Sequence, residues 1–558
     1  MHEKEFNLIR EQWILVMKPD GEVHEVSLIE VFSCAQEFQC LAGELPTQDV
    51  AVMRFLLAIL HSVFSRYNAS GTFAPIYNDE TEERVPSPKD ALDRWRELWE
   101  LDSFPMKIIE EYLAHYEDRF YLFHPEYPIY QVAELERSPD QNFGPFKVSK
   151  MNGEILESSN KVRLFSQRAG EKKELLSFPE ATRWLLYLHG YAETFGKLES
   201  RGKTDKNKMT IGVGWLGQLG LVYARGENLF KTLMLNLVLL KDKNTPWGIE
   251  KPVWESEQVL SVERHEISIP DNLSELYTLQ SRRLLLHKKN GCVSEYSFRS
   301  GDFFSSINAL SEPMTVWKKL EKVNEIEFQP KKHELSRQFW RDFSGFISQS
   351  DNPSQETPRP GVLNWLSYLS DMSFISTKSI FHIHALGVRY GNMSSSVVDI
   401  FYDNISFNSG LLTTMGRPWM NRVIAEIETT EKLVQKVGRL SQNIEKASGQ
   451  REGLNQYNLA KEQAYYLLDV PFRRWLAGID PANEDMSSVC DVWWQQEKRI
   501  IREMGKRMIM DASSCAFVGR EVKEKVRGKE LTQHYSTPEA YNSFLYWTST
   551  RERLKGGK

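Results

Sequence analysis

The sequence has little of what marks secreted, membrane-spanning or disulfide-stabilised proteins. It contains five cysteines in 558 residues, and no two of them form a CxxC pair. An odd, scattered set predicts buried free thiols in a reducing compartment rather than a disulfide framework. The first residues are charged, and we expect no apolar stretch to reach the roughly 18 residues that span a bilayer. These absences predict a cytoplasmic protein with no membrane partner.

The chain also lacks a strong excess of charge of either sign. Lys and Arg total 70 and Asp and Glu total 76, which gives a formal net charge of -6. A bulk electrostatic attraction to nucleic acid is therefore not implied, and any such binding must use local basic patches. Apolar residues make up 41% of the chain and aromatic residues 12%, as in ordinary globular proteins. The length predicts at least two domains.

No pattern in the sequence indicates an active site. His382 and His384 lie at strand spacing without a Cys, Asp or Glu at metal-like spacing, which favours packing histidines over a metal site. The glycines of TIGVGWLGQLG (210–220) do not fit a dinucleotide fingerprint, because a strand-like run follows them instead of a helix. They favour a structural turn over a ligand contact. We predict no catalytic residue, no metal and no cofactor.

Patterning predicts mixed α and β structure in the N-terminal part. WILVMK and VHEVSLIEVF flank Asp20-Gly21, which predicts a β-hairpin. Thr47 is the predicted N-cap of an apolar helix, with Asp49 favourable at its positive end. Helical patterns also occur in ATRWLLYLHGY and RGENLFKTLMLNLVLL, and strand patterns occur between residues 250 and 330.

From Arg417 onward the pattern becomes helical. Apolar residues form one stripe along the first predicted helix, at Val423, Ile427, Val434, Val437, Leu440 and Ile444. Three further helical patterns follow, of which DVWWQQEKRIIREMGKRMIMDASSCAFVGREV is the longest. The predicted fold class is α+β, with a large mixed α/β domain over 1–412 followed by a four-helix bundle over 413–558.

Basic residues cluster in the predicted bundle although the chain is acidic overall. They lie in KRIIREMGKRM and GREVKEKVRGKE and include Lys498, Arg499, Arg502, Lys506, Arg507, Arg520, Lys523, Lys525, Arg527 and Lys529. A solvated face and a patch that contacts phosphates explain this cluster equally well.

Eight segments in collinear order resemble the CasA family, the large subunits of type I-E CRISPR Cascade. They are FNLIREQWILV, GEVHEVSLIEVF, LAGELPTQD, RGENLFKTLMLNLV, PVWE, LYTLQSRRLLLH, EPMTVWKK and VRYGNMSSSVVD. The match runs from about Phe6 to Asp403, and the predicted bundle follows where the family has its own. The resemblance implies a non-enzymatic subunit of an RNA-guided complex. Its partners would be the crRNA-containing Cascade subunits, target double-stranded DNA and a helicase-nuclease.

The resemblance implies that the subunit recognises the protospacer-adjacent motif (PAM), helps to open the duplex and provides a surface for the helicase-nuclease. It places a PAM wedge at Gly391, Asn392, Met393 and Ser394. Family wedges commonly carry a glutamine at the tip, whereas this chain has Asn392-Met393-Ser394. Wedge insertion costs a few kcal/mol of unstacking, which heteroduplex formation offsets.

Four other contact regions are expected, three implied by the resemblance and one by the basic cluster in the predicted bundle. The expected minor-groove loop is Gly212, Val213 and Gly214, and the expected basic finger is Arg299, with Lys318 second. The loop that contacts the crRNA handle is expected at Phe165, Ser166 and Gln167. The expected DNA-backbone patch comprises Arg499, Arg502, Lys506, Arg520, Lys523 and Lys525. Two alternatives stay open. One is a protein scaffold that never contacts DNA, and the other is a metal-dependent nuclease whose carboxylates converge from distant segments.

Overall fold

The computed structural model of the chain divides into two compact units. It describes residues 4–77, 86–137, 145–155, 168–197, 210–256, 264, 267–321, 326–347, 357–449, 454–526 and 529–556. Unit 1 comprises Met1–Arg337, Gln349–Phe374 and Phe381–Asn404. Unit 2 comprises Gln338–Ser348, Ile375–Ile380 and Ile405–Lys558. Unit 2 therefore includes two short segments that precede residue 405, whereas the sequence predicts one boundary after residue 412.

Helices and strands are mixed, which confirms the predicted class. The helices are α1 (Leu28–Ser33), α2 (Pro46–Phe64), α3 (Pro88–Glu100), α4 (Met106–His115), α5 (Phe178–Tyr191), α6 (Leu229–Asn236), α7 (Leu273–Tyr277), α8 (Phe343–Ile347), α9 (Gly361–Asp371), α10 (Arg417–Ser448), α11 (Leu454–Ala477), α12 (Met486–Met510), α13 (Ser514–Val518), α14 (Thr537–Trp547) and α15 (Arg551–Gly556). The strands are β1 (Glu5–Asn7), β2 (Ile14–Met17), β3 (Val23–Val26), β4 (Cys40–Leu41), β5 (Tyr121–Phe123), β6 (Phe146–Lys147), β7 (Phe195–Lys197), β8 (Thr210–Ile211), β9 (Leu221–Arg225), β10 (Arg282–Lys289), β11 (Cys292–Ser300), β12 (Trp317–Glu321), β13 (Ile326–Pro330), β14 (Ile380–Tyr390), β15 (Val397–Asn408), β16 (Arg520–Val526) and β17 (Lys529–Tyr535).

The core of unit 1 is built around α2. This helix is buried on almost all sides and packs against α5 and α7. Its length and composition meet the criterion for a membrane span, contrary to the sequence expectation, but 94% of its most apolar window lies buried inside the protein. We therefore interpret it as a core helix. It begins at Pro46 with Leu45 as N-cap, so the predicted Thr47 cap is wrong, and the Thr47 side chain is buried.

Small antiparallel sheets cover this core. β2 and β3 form the predicted hairpin, and β4 extends it on the other side of β2. The segment after β3 forms α1 rather than the continuation of a strand. Ser27 and Glu30 explain this difference, because their side chains form a capping box that starts a helix at Leu28.

Two long strands lead to the predicted wedge. β14 has 11 residues and β15 has 12. Together with β9 they form a three-stranded sheet in the order β15-β14-β9. The turn between β14 and β15 covers residues 391–396 and lies at one end of this sheet.

Unit 2 is mainly helical. α10 contacts α11, α12 and α14, and the predicted apolar stripe of α10 is buried from Val423 to Leu440. The longest predicted helix is wrong in its second half, because α12 ends at Met510 and an antiparallel hairpin, β16–β17, follows the short α13. Gly519, with φ of 79°, separates α13 from this hairpin.

The cysteines are free thiols in the described structure, but they are not uniformly buried. Cys490 is buried, whereas Cys515 is exposed in α13. The expectation of buried thiols is therefore wrong for Cys515.

Candidate nucleic-acid interface

The turn at the predicted wedge has an uncommon backbone. Met393 and Ser394 have φ of 54° and 53°, and the Ser395 N–H donates to the Asn392 carbonyl at 3.2 Å. Positive φ at both central residues is the signature of the type I′ hairpin turn, which usually contains Asn-Gly. For residues other than glycine, this conformation costs on the order of 1 kcal/mol each. The fold therefore holds two strained residues at the tip.

The Met393 side chain points into solvent. It is 73% exposed, in a protein where most large apolar side chains are buried. Below it, the Gly391 N–H donates to the Ser396 carbonyl at 2.8 Å, which closes the turn. The neighbouring residues are small and polar, so the tip is narrow. A narrow tip with a flexible apolar side chain has the chemistry to insert between stacked bases.

Tyr390 fixes the end of β14 just before the turn. Its hydroxyl donates to the Tyr191 carbonyl at 2.8 Å, and burial raises the pKa of Tyr390 well above its usual range. A Cβ on Gly217 would lie 2.1 Å from the Tyr390 hydroxyl. Gly217 is therefore required by the close approach of this ring.

The minor-groove loop predicted at Gly212, Val213 and Gly214 packs against the end of α5, and its contact with DNA stays a prediction. Val213 and Gly214 are buried, and a Cβ on Gly214 would lie 2.4 Å from the Gly190 carbonyl oxygen at the end of α5. The glycine is thus explained by packing of the chain against α5. A sequence cannot distinguish a glycine that admits a ligand from one that admits a neighbouring backbone.

The predicted basic finger does not have the shape of a finger at Arg299. This residue lies inside β11, opposite Arg283 of β10, and its side chain is only partly exposed. Lys318 is exposed on β12, opposite Gln329 of β13. Neither residue occupies a turn.

The predicted handle loop, Phe165, Ser166 and Gln167, lies outside the described residues. On its C-terminal side, Arg168 contacts Glu180 at 2.8 Å and Glu154 at 3.7 Å.

The predicted DNA-backbone patch is divided between two elements. Arg499 and Lys506 are exposed on α12. Arg502 has turned away from them, since its guanidinium donates to the carbonyls of Leu545 (3.2 Å) and Thr548 (3.4 Å) at the end of α14. Its inclusion in the patch is wrong, because Arg502 satisfies helix-terminal carbonyls instead.

The other half of the patch is on the β16–β17 hairpin. Arg520 and Lys523 are exposed, and Lys523 lies opposite the exposed Thr532. Lys525 lies opposite Glu530, and the placement of its side chain is outside the described residues. Among the described side chains, the hairpin therefore presents Arg520 and Lys523 to solvent.

The described residues also bear on the predicted absence of a metal site. Among them, no group of three or more His, Cys, Asp or Glu side chains could hold a metal ion. His384 contacts the Tyr402 hydroxyl at 2.8 Å through Nδ1, and burial lowers the pKa of His384 to about 4. His382 lies opposite Arg225 in the β14–β9 pairing. Both histidines are accounted for by the sheet.

Sequence reasoning missed two residues beside the turn. Arg282 is buried and donates to the carbonyls of Glu193 (2.9 Å) and Gly212 (2.7 Å), and the Glu193 carboxylate accepts from the Val397 N–H at 2.8 Å. Burial lowers the pKa of Arg282 to about 10. The pair of arginines within the apolar run SRRLLLH was the available signal, because a buried arginine must have acceptors.

Comparison with known proteins identifies relatives along nearly the whole chain. The CRISPR-associated protein Cse1 family matches residues 7–508. The CRISPR-associated protein CasA/Cse1 of Thermus thermophilus is 27% identical over 494 residues, which are 86% of this chain and 88% of that protein.

Solved structures agree with this match. The crystal structure of Thermobifida fusca Cse1 is 27% identical, covers 100% of this chain and 99% of its own, and has a TM-score of 0.80. Cse1 from Acidimicrobium ferrooxidans is 22% identical with a TM-score of 0.74, and each chain is 99% covered. A chain of a CRISPR RNA-guided surveillance complex is 17% identical, with a TM-score of 0.59 over 91% of this chain and 99% of that chain. The last two similarities show a shared fold.

Proposed function

The chain belongs to the CRISPR-associated Cse1 family, the CasA large subunits of type I-E Cascade, and we propose that it recognises the PAM in target DNA. In this proposal it works inside a ribonucleoprotein with the other Cascade subunits and a crRNA. It helps to open the target duplex and provides a surface for the helicase-nuclease. It acts by binding and not by catalysis.

The exposed turn between β14 and β15 carries the proposal. Its backbone is strained at Met393 and Ser394, and its only large side chain is an exposed methionine. Strain that a fold maintains at a protruding tip supports a functional role for that tip. Inserting Met393 beside the PAM would unstack one base step, at a cost of a few kcal/mol that pairing with the guide offsets.

Division of labour between protein and guide explains why a short tip is sufficient. The guide reads the long target sequence by base pairing, and the protein reads only a short flag next to it. The net charge of -6 gives the chain no general attraction for phosphates. In this proposal, local basic residues supply that attraction, including Arg520 and Lys523 in unit 2.

The test replaces Asn392, Met393 and Ser394 with glycine in a reconstituted crRNA complex. Glycine accepts the positive φ of the turn, so the substitution removes side chains without adding strain. We expect about tenfold weaker binding to an intact PAM-bearing duplex, equivalent to about 1.4 kcal/mol, and little change on a target that is already melted.

A matched control is available after α9. Met372 is 45% exposed, and the next residue, Ser373, has φ of 60°. Replacing this Met-Ser pair with glycine should leave both substrates unaffected. Equal losses on duplex and melted DNA for the 392–394 variant would exclude the wedge role.

A further inference from the structure

The segment that follows α5 runs alongside the exposed turn. The Thr194 N–H donates to the Ser394 carbonyl at 2.9 Å, directly at a strained residue. One residue earlier, the Glu193 carboxylate accepts from the Val397 N–H at 2.8 Å, at the first residue of β15. Residues 191–194, here called the bracket, thus contact the turn on its tip side and at its base.

Arg282 in turn constrains the bracket by a hydrogen bond from the buried side of the protein. This buried side chain donates to the Glu193 carbonyl at 2.9 Å, to the Gly212 carbonyl at 2.7 Å and to the Ser281 carbonyl at 2.8 Å. A buried guanidinium costs free energy unless its donors are satisfied, so Arg282 strongly constrains the carbonyls that it contacts. A continuous chain of hydrogen bonds therefore runs from the interior of β10 through Glu193 to the turn.

We infer that Glu193 and Arg282 are positioning residues for the wedge, which hold the 391–396 turn in its strained conformation before DNA arrives. Neither residue needs to touch DNA in this role. Arg282 fixes the backbone of Glu193, and the Glu193 carboxylate then fixes β15 at Val397. The inference rests on the proposed function of the turn, and it adds the residues that prepare the turn for insertion.

Pre-organisation explains why such a device would help duplex opening. A mobile turn would have to become ordered during insertion. The free-energy cost of the conformational entropy lost in that step would reduce the free energy available for unstacking. A turn that is already ordered in the free protein avoids this cost. Loss of one buried hydrogen bond commonly changes an equilibrium about fivefold.

The test compares Glu193→Ala with Glu193→Gln in the full chain. The glutamine retains a carbonyl oxygen that can accept from the Val397 N–H, but it removes the charge. The first readout is amide hydrogen exchange of peptides covering 391–398 in the isolated chain, which does not depend on any DNA function. The second is opening of a PAM-bearing duplex by the reconstituted complex, with a melted target as reference.

For Glu193→Ala we expect exchange in the turn to become about fivefold faster and duplex opening to fall about fivefold, with binding to the melted target unchanged. For Glu193→Gln we expect both values within twofold of the parent. Unchanged exchange in Glu193→Ala would overturn the inference. Equal loss of opening in both variants would also overturn it, because it would indicate that the Glu193 charge acts directly.

One further outcome separates the inference from the proposed function. Faster exchange in Glu193→Ala without loss of opening would show that opening does not need the turn to be held and would overturn the positioning role, whereas the wedge role itself is decided by the 392–394 glycine variant. Arg282→Lys, which retains the charge but offers fewer directed donors, should speed exchange in the same peptides. Unchanged exchange in Arg282→Lys would remove Arg282 from the inference.

Discussion

Met393 combines two unfavourable properties, since its backbone has φ of 54° and its apolar side chain is 73% exposed. Either property alone occurs by chance in large proteins. Their coincidence at the end of two long strands is the observation on which the proposed wedge role rests, because the exposed Met393 side chain is not part of the described core. The proposed role of the turn therefore depends mainly on Met393.

Gly214 illustrates the opposite case, a glycine required by folding. We expect Gly214→Ala to destabilise unit 1 by about 1–3 kcal/mol, because the added Cβ would lie 2.4 Å from the Gly190 carbonyl oxygen. Gly212→Ala is the matched control, since its Cβ would meet only Phe303 at 3.8 Å. Urea denaturation of both variants measures the difference. Equal urea midpoints for the two variants would contradict the packing explanation. Residues 212–214 would then be better explained as a DNA contact.

A buried carboxyl in unit 2 predicts a pH dependence of stability. Burial raises the pKa of Glu497 to about 8, and the side chain is hydrogen-bonded to Thr430. Nearby Glu426, which is paired with Arg422 and Arg551, adds like charge. The folded state therefore holds a proton that the unfolded chain releases above its ordinary pKa of about 4.5. The stability contribution is fully present below about pH 4.5 and is lost as pH rises through about 8.

The corresponding test is Glu497→Gln, which removes the titration and keeps a hydrogen-bonding side chain. We expect this variant to be more stable than the parent at pH 8, on the order of a few kcal/mol, and similar to it near pH 4.5. The measurement is the urea midpoint of unit 2, read from pulse-labelled exchange of α12 peptides at both pH values. A stability difference that does not change with pH would contradict the assignment.

At the scale of elements, the sequence predicted a helix and a hairpin correctly and missed the hairpin β16–β17. The apolar stripe from Val423 to Leu440 predicted α10, and alternating residues around Asp20-Gly21 predicted the β2–β3 hairpin. The predicted helix over 491–522 ran on into GREV, whereas the structure begins the strand β16 at Arg520. Gly528, between the strands, was the overlooked sign of a hairpin.

The candidate site was predictable only where a motif and an exposed tip coincide. The family resemblance located the 391–394 turn correctly as an exposed turn. It could not reveal that Arg502 would cap α14, or that Glu193 would bind β15, because both contacts join residues that are distant in sequence. Such contacts depend on tertiary packing, which periodicity does not report.

The β16–β17 hairpin gives a prediction for DNA binding. Reversing charge with Arg520→Glu and Lys523→Glu should weaken binding of target DNA by the complex and lower the salt slope by about two, as for two lost phosphate contacts. Permanganate footprints on the displaced strand should weaken in parallel. The control is Lys89→Glu with Lys107→Glu, two exposed lysines on α3 and α4. Equal salt slopes for the two double variants would assign the hairpin to a solvated surface.

At the scale of the whole molecule, the composition argues for a protein that acts within an assembly. A net charge of -6 gives the isolated chain little general attraction for DNA. The exposed turn and the basic hairpin are small features, and each supplies little affinity alone. In the proposed function, a guide-bearing complex holds both features close to the target, and the resulting effective concentration increases the contribution of weak contacts.

The most direct test of this account is target binding by a reconstituted crRNA complex, with and without the chain, on duplex DNA carrying a randomised PAM. The account predicts that the chain strengthens binding for a defined subset of PAM sequences. It also predicts that glycine at 392–394 removes this gain, while the Met372-Ser373 control retains it. Binding that is identical with and without the chain, across all PAM sequences, would contradict PAM recognition and favour a scaffold that does not contact DNA.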